Sequence, residues 1–159
     1  MGMSDYVRGL REKVGHAFLL LPSVAAIVRD GEGRILLVQG MEGRWQLPGG
    51  AIEPDEEPED ALRRECLEEA NAVVRPTRLL AAVGGPGNRH TYANGDEIGF
   101  VISVYEAELV GGELRPDHDE TQAIGWFSES ELERLEMSGP TRSTLGIALR
   151  ALSRPGSTS

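Results

Sequence analysis

Residues 45–72 read WQLPGGAIEPDEEPEDALRRECLEEANA, and three of their carboxylates, Glu65, Glu68 and Glu69, stand at i, i+3 and i+4. On a helix advancing about 100° per residue they fall within an arc of about 100°. Ala61 lies between Glu68 and Glu65 on that projection, and Leu62 and Cys66 lie beside Glu69, so the acids border the core-facing stripe. Carboxylates at this spacing repel by a few tenths of a kcal/mol per pair unless a cation stands among them. A solvated acidic face is the plainest reading of such a helix. Here the acids adjoin apolar residues, and Pro48-Gly49-Gly50 stands just upstream in a turn where backbone carbonyls can approach an ion closely. The chemistry these residue types offer is a hard divalent cation held by carboxylates, a carbonyl and water.

The remaining pattern supplies the frame. Residues 59–70 have helical period and good helix formers. Upstream, residues 24–28 and 34–39 are β-rich runs flanking Asp30-Gly31-Glu32-Gly33, which predicts a hairpin. A short N-terminal helix, capped by Ser4 or Asp5 and ending at Gly15, carries Tyr6, Leu10 and Val14 as an apolar stripe. Residues 73–83 are strand-like around Pro76, and GGPGNRHTYANG at 84–95 reads as a long loop without regular structure. Ile98, Phe100, Ile102 and Val104 alternate with residues that are also largely apolar, the mark of a central strand. Gly111-Gly112 turns the chain, 123–127 is a short strand, Ser128 caps a helix, and 141–152 is a terminal helix. Residues 154–159 form a polar tail, expected to be disordered. Mixed strands and helices without repeats predict one α+β domain.

Composition sets the outer bounds. The chain has 159 residues, 40% of them apolar, and its single cysteine excludes an internal disulfide framework. A domain of this length buries about two-thirds of its unfolded surface without any staple. Sixteen basic against 26 acidic residues leave a net charge of −10. Duplex nucleic acid and anionic membranes are therefore not expected partners. The apolar run at 17–28 follows Arg8, Arg11 and Lys13 as a leader would. It is too short to span a membrane, is interrupted by Pro22 and has Asp5 and Glu12 in its flank. A cytoplasmic location is the expectation.

The spacing of Gly50, Glu56 and the run Arg64-Glu65-Cys66-Leu67-Glu68-Glu69-Ala70-Asn71-Ala72 resembles the Nudix box, G-x5-E-x7-R-E-U-x-E-E-x-G-U, with a W-x-L-P-G-G lead-in at Trp45. The resemblance extends over most of the chain. It implies an α/β/α sandwich around a mixed β-sheet, with residues 17–153 as the Nudix domain and 1–16 as a helical extension. It also implies Glu65 and Glu69 as the main metal ligands, with Glu68 and the carbonyl of Gly49 completing the set, Mg²⁺ (or Mn²⁺) as the cofactor, and an Arg64–Glu56 pair orienting the helix. Asn71 replaces the box glycine at the helix end, where a left-handed conformation is wanted and asparagine is the next-best residue. Cys66 and Ala72 are smaller than usual at the apolar positions, and Cys66 reads as a buried hydrophobe with no basic partner nearby.

The activity implied is hydrolysis of a nucleoside diphosphate linked to another moiety, of ADP-ribose or nucleotide-sugar type. Hydrolysis of a free or oxidised nucleoside triphosphate stands as the alternative, and a non-catalytic nucleotide sensor as the alternative of another class. Arg44, Trp45, Arg89 and Tyr92 are candidate substrate-binding residues. Glu68 and Glu120 are both candidates for the group that takes the proton from the attacking water. His16, His90 and His118 are scattered. The Tyr6-Leu10-Val14 stripe, if outside the core, points to a homodimer.

Overall fold

A computed structural model describes residues 3–154. The backbone runs α1 (Asp5–Val14), β1 (Leu19–Val28), β2 (Ile35–Gly40), β3 (Trp45–Gln46), β4 (Gly49–Ala51), α2 (Pro58–Ala70), β5 (Val73–Val83), a 3-10 turn (Pro86–Asn88), β6 (Arg89–Thr91), β7 (Glu97–Gly111), β8 (Thr121–Phe127), α3 (Glu129–Leu132) and α4 (Gly139–Leu152). The strands form two sheets. One runs β4-β1-β7-β5 with β6 also on β7, and the other runs β3-β2-β8. Parallel β1–β7 pairing among otherwise antiparallel neighbours makes the larger sheet mixed.

Strand alternation explains the layers. Val24, Ala26 and Val28 of β1 and Leu36 and Val38 of β2 point to one side, where they bury Ala61, Leu62, Cys66 and Ala70 of α2. Ala25 and Ile27 of β1, with Ile35 and Leu37 of β2, point to the other and meet Leu145 and Ala148 of α4. With helices on both sides, these strands need apolar residues at every position, which is why they read as continuous runs. The α/β/α sandwich follows. The long β7 lies between β1 and β5, as its two apolar faces require. Among the described residues no helix is long and apolar enough to cross a membrane.

Several local expectations need correction. The runs at 24–28 and 34–39 do not form a ladder: β1 and β2 belong to different sheets, and the link between them is a bridge from Arg29 to Ile35 with the Asp30 amide on the Arg34 carbonyl (3.0 Å). The Asp30 carboxylate accepts the amides of Glu32 (3.0 Å) and Arg34 (2.9 Å), which turns the chain from one sheet into the other. The glycine-rich stretch is not wholly irregular, because Arg89, His90 and Thr91 pair with Gly99, Ile98 and Glu97 of β7. On α1, capped by Ser4, the buried residue is Val7, packed with Leu10 against Leu19, Leu21, Ile98 and Phe100, while Tyr6 and Val14 are exposed. The helix docks through an i, i+3 pair that the i, i+4 stripe did not single out. Of the polar tail, all beyond Arg154 lies outside the described residues.

Candidate active site

Proline at the start of α2 suits a first turn whose amides have no helical partner. At its other end Asn71 adopts φ 48°, ψ 34°, the left-handed cap expected for it, with its amide on the Leu67 carbonyl (3.0 Å). Between these ends the helix turns Glu65 (6% exposed) and Glu69 (1% exposed) into the protein against β4 and leaves Glu68 largely in solvent.

Arg64 is the hub of the cluster. Its Nε and Nη2 donate to the two oxygens of Glu56 at 2.7 and 2.9 Å, Nη1 donates to Glu65 Oε1 (2.9 Å), and Nη2 also reaches the Ala51 carbonyl (3.1 Å). A fork of this kind ties the helix, the loop before it and β4 into one unit. Nη1 makes a longer contact with the exposed Glu68 (3.4 Å). The shared guanidinium holds the Glu56 carboxyl below its usual range, chiefly by hydrogen bonding, and these bonds hold Arg64 firmly charged.

The buried acids behave in the opposite way. Desolvation raises the Glu65 pKa, against the pull of Arg64. Desolvation also pushes Glu69 up to about 8, with the Gly49 amide opposing and Glu65 adding repulsion. Glu69 Oε2 accepts the Gly49 N–H at 3.0 Å, so in this structure that glycine meets the acid through its amide. Glu69 Oε1 is buried and has no hydrogen-bond partner. Gly50 lets the acid lie close to β4: a Cβ there would stand 2.4 Å from Glu65 Oε1 and would force that carboxylate to shift. Cys66 is fully buried and burial pushes its thiol up, which disposes of it as a nucleophile.

One cavity opens on this cluster, and a second adjoins it at Tyr92 and Glu120. The first, about 450 Å³, is lined by Ala51, Glu53, Arg64, Glu65, Glu68 and Glu120 on one side and by Ser4, Val7 and Arg11 of α1 and Tyr92 and Asp96 on the other. The second, about 510 Å³, is lined by Arg44, Trp45, His90, Tyr92, Phe100, Asp119 and Glu120 among others. Tyr92 and Glu120 border both. Arg44, Trp45 and Tyr92 are thus brought together, whereas Arg89 lines neither cavity and lays its guanidinium over the Phe18 ring at 4.6 Å. Trp45 is braced edge-on against Phe127, centroids 4.7 Å apart.

The chain matches the family model of the NUDIX domain over residues 19–145. It belongs to the Nudix hydrolase family. Among curated relatives it is 31% identical over 108 residues to the nucleoside triphosphatase NudI of Escherichia fergusonii, 66% of this chain and 76% of that protein. It is 32% identical over 111 residues to a MutT-like protein of Streptomyces ambofaciens, covering 69% of this chain and 65% of that one. Among solved structures, an ADP-ribose pyrophosphatase from Streptococcus suis superposes with TM-score 0.68 at 28% identity, covering 86% of this chain and 94% of that one.

Within this Nudix frame some site residues had no signal in the sequence. Helix α1, read as an extension outside the core, forms a wall of the first cavity. A latch holds its end in place: Arg11 donates to the carbonyls of Ala17 (2.5 Å) and Glu97 (2.7 Å), and His16 Nδ1 lies 2.7 Å from Asp96 Oδ1. The contact with His16 is the main reason the Asp96 carboxyl sits below its usual range. Asn94 Nδ2 also donates to Asp96 Oδ2 (3.1 Å), and His16 is 80 residues from Asp96 in sequence, so no local pattern marks the latch.

Proposed function

We propose that this chain is a divalent-metal-dependent hydrolase of a nucleoside diphosphate linked to a second moiety, of ADP-ribose or nucleotide-sugar type. The observation that carries the reading is the pair Glu65 and Glu69, buried side by side, with Glu69 Oε1 lacking any partner. A buried carboxylate oxygen in that condition is costly unless a proton or a cation satisfies it. Among the described residues no three acidic, histidine or cysteine side chains are grouped so as to hold a metal ion by themselves, so backbone carbonyl, water and substrate oxygens would have to complete the set. The donors that fit are all oxygens, as Mg²⁺ prefers, and Mg²⁺ commonly keeps several waters. Glu65 and Glu69 would hold it, with Glu68 and the Gly49 carbonyl as further donors. Once bound, the ion supplies neutralisation of diphosphate charge and lowers the pKa of an attacking water.

The chain's own residues do the rest. Arg64, clamped by Glu56, holds Glu65 in the orientation it needs. Glu68 and Glu120, both on the first cavity, are the groups able to take the proton from water. Arg44, Trp45 and Tyr92 on the adjoining cavity offer charge and ring faces for the nucleoside. Likeness to an ADP-ribose pyrophosphatase supports the diphosphate-linked reading. Likeness to a nucleoside triphosphatase supports a second reading, hydrolysis of a triphosphate.

The test is a panel of ADP-ribose, UDP-glucose, GTP and 8-oxo-dGTP with Mg²⁺ or Mn²⁺, with product identification. Release of AMP or UMP with a sugar phosphate supports the first reading, and release of pyrophosphate from a triphosphate the second. Saturable binding without turnover overturns both and assigns a sensor.

A further inference from the structure

We propose that Thr121 and Asp117 are positioning residues that hold Glu120 toward the Glu65–Glu69 pair by bolting its loop to the C-terminal end of α2. The inference rests on the hydrolase reading above. Glu120 occupies the loop entering β8, and a loop carboxylate is ordinarily mobile. This loop is tied at two points. Thr121, fully buried, donates its hydroxyl to the main-chain carbonyl of Glu69 at 2.7 Å. That carbonyl belongs to the last turn of α2, whose carbonyls lack helical partners and must find others. One hydroxyl therefore links the residue after Glu120 directly to the backbone of the deepest acid of the site.

Asp117 forms the second tie. Its Oδ1 accepts the amides of Thr121 (2.8 Å), Glu120 (3.0 Å) and Asp119 (3.0 Å), and its own amide reaches Thr121 Oγ1 at 3.2 Å. His118 takes a left-handed φ of 62° to close this turn, and its amide bonds the Thr121 carbonyl at 2.9 Å. The Glu120 backbone is thus fixed on both sides, and its side chain borders the cavity that also exposes Glu65 and Glu68. Glu120 is near enough to both buried acids to add to their electrostatic repulsion. A group that must meet a water in one geometry benefits when its backbone freedom has been removed in advance.

The experiment uses the full chain with Mg²⁺ and whichever compound of the panel is hydrolysed. Thr121→Val, which keeps shape and removes the hydroxyl, should lower kcat about tenfold to thirtyfold with KM within about twofold, and Thr121→Ser should recover most of the loss. Asp117→Ala, on the exposed side of the loop, should lower kcat similarly and serves where Thr121→Val does not fold. Amide exchange over residues 117–121 should quicken in both impaired variants. In a Glu120→Gln background neither change should lower kcat further, because residues acting through one group are not additive. Wild-type kcat in Thr121→Val and Asp117→Ala overturns the inference, as does an equal loss with Glu120 already replaced, or a harmless Glu120→Gln. Turnover of no compound overturns the hydrolase reading and this inference together, whereas turnover with unimpaired variants overturns this inference alone.

Discussion

Arg64→Lys tests the hub of the site without removing its charge. Lysine is a point charge on a flexible stem and cannot reproduce the fork. In the wild type the guanidinium donates twice to Glu56, once to Glu65 and once to the Ala51 carbonyl. Lysine can keep one carboxylate, so at least two of these bonds are lost. Hydrogen bonds to charged groups contribute roughly 1.5–3 kcal/mol each, and about a third of the Arg64 side chain is exposed, so the lower figure applies and the cost is about 3 kcal/mol. Urea unfolding in EDTA at pH 7.5 measures it. The pH dependence is the sharper check. Glu56 is held below its reference value of 4.5, so its contribution is complete above that pH and is lost as pH falls through the lower folded value. Glu65 is raised instead, so its folded form is penalised as pH rises through 4.5, and more so once Arg64 no longer opposes burial. Both effects widen the gap between the proteins from acid to neutral pH. A difference below about 1 kcal/mol at pH 7.5, or one unchanged between pH 3 and 7.5, would refute the assignment of Arg64 as the hub.

Glu69→Gln should lower kcat about a hundredfold or more and abolish stabilisation by Mg²⁺ in thermal melts, whereas Glu59→Gln, on an exposed residue bonded to Arg63, should do neither. Gly50→Ala places a methyl against the Glu65 carboxylate and should cost roughly 1–3 kcal/mol of stability, read by urea unfolding in EDTA. Asn71→Gly should be close to neutral, since the αL cap is kept and only the exposed Nδ2 bond to the Glu113 carbonyl is lost; Asn71→Val should cost roughly 1–2 kcal/mol, and equal melting temperatures for the two would show that the cap conformation does not matter.

Features that depend on spacing along one element are legible from residue order alone. An i, i+1, i+4, i+5 pattern on a helix turns Arg64, Glu65, Glu68 and Glu69 to nearly one side beside the apolar stripe, so the closeness of the acids to the core was legible, whereas folding against β4 decided that Glu65 and Glu69 are buried and Glu68 is not. The same holds for the Ser4 and Asn71 caps and for the central place of β7, where both faces read as apolar. Contacts between distant segments were settled by folding. Val7 and not Tyr6 anchors α1, because the face that docks is chosen by Leu21 and Ile98 on strands far along the chain. Arg89 rests on Phe18 and so lies outside both cavities, since cation–ring attraction depends on a partner about 70 residues away. Thr121 lies outside the strand read at 123–127 and carries no signal until folding places its hydroxyl 2.7 Å from the Glu69 carbonyl. Local periodicity sets the direction a side chain takes from its own backbone, but the group it meets is set by chain closure over long separations, which no local pattern encodes.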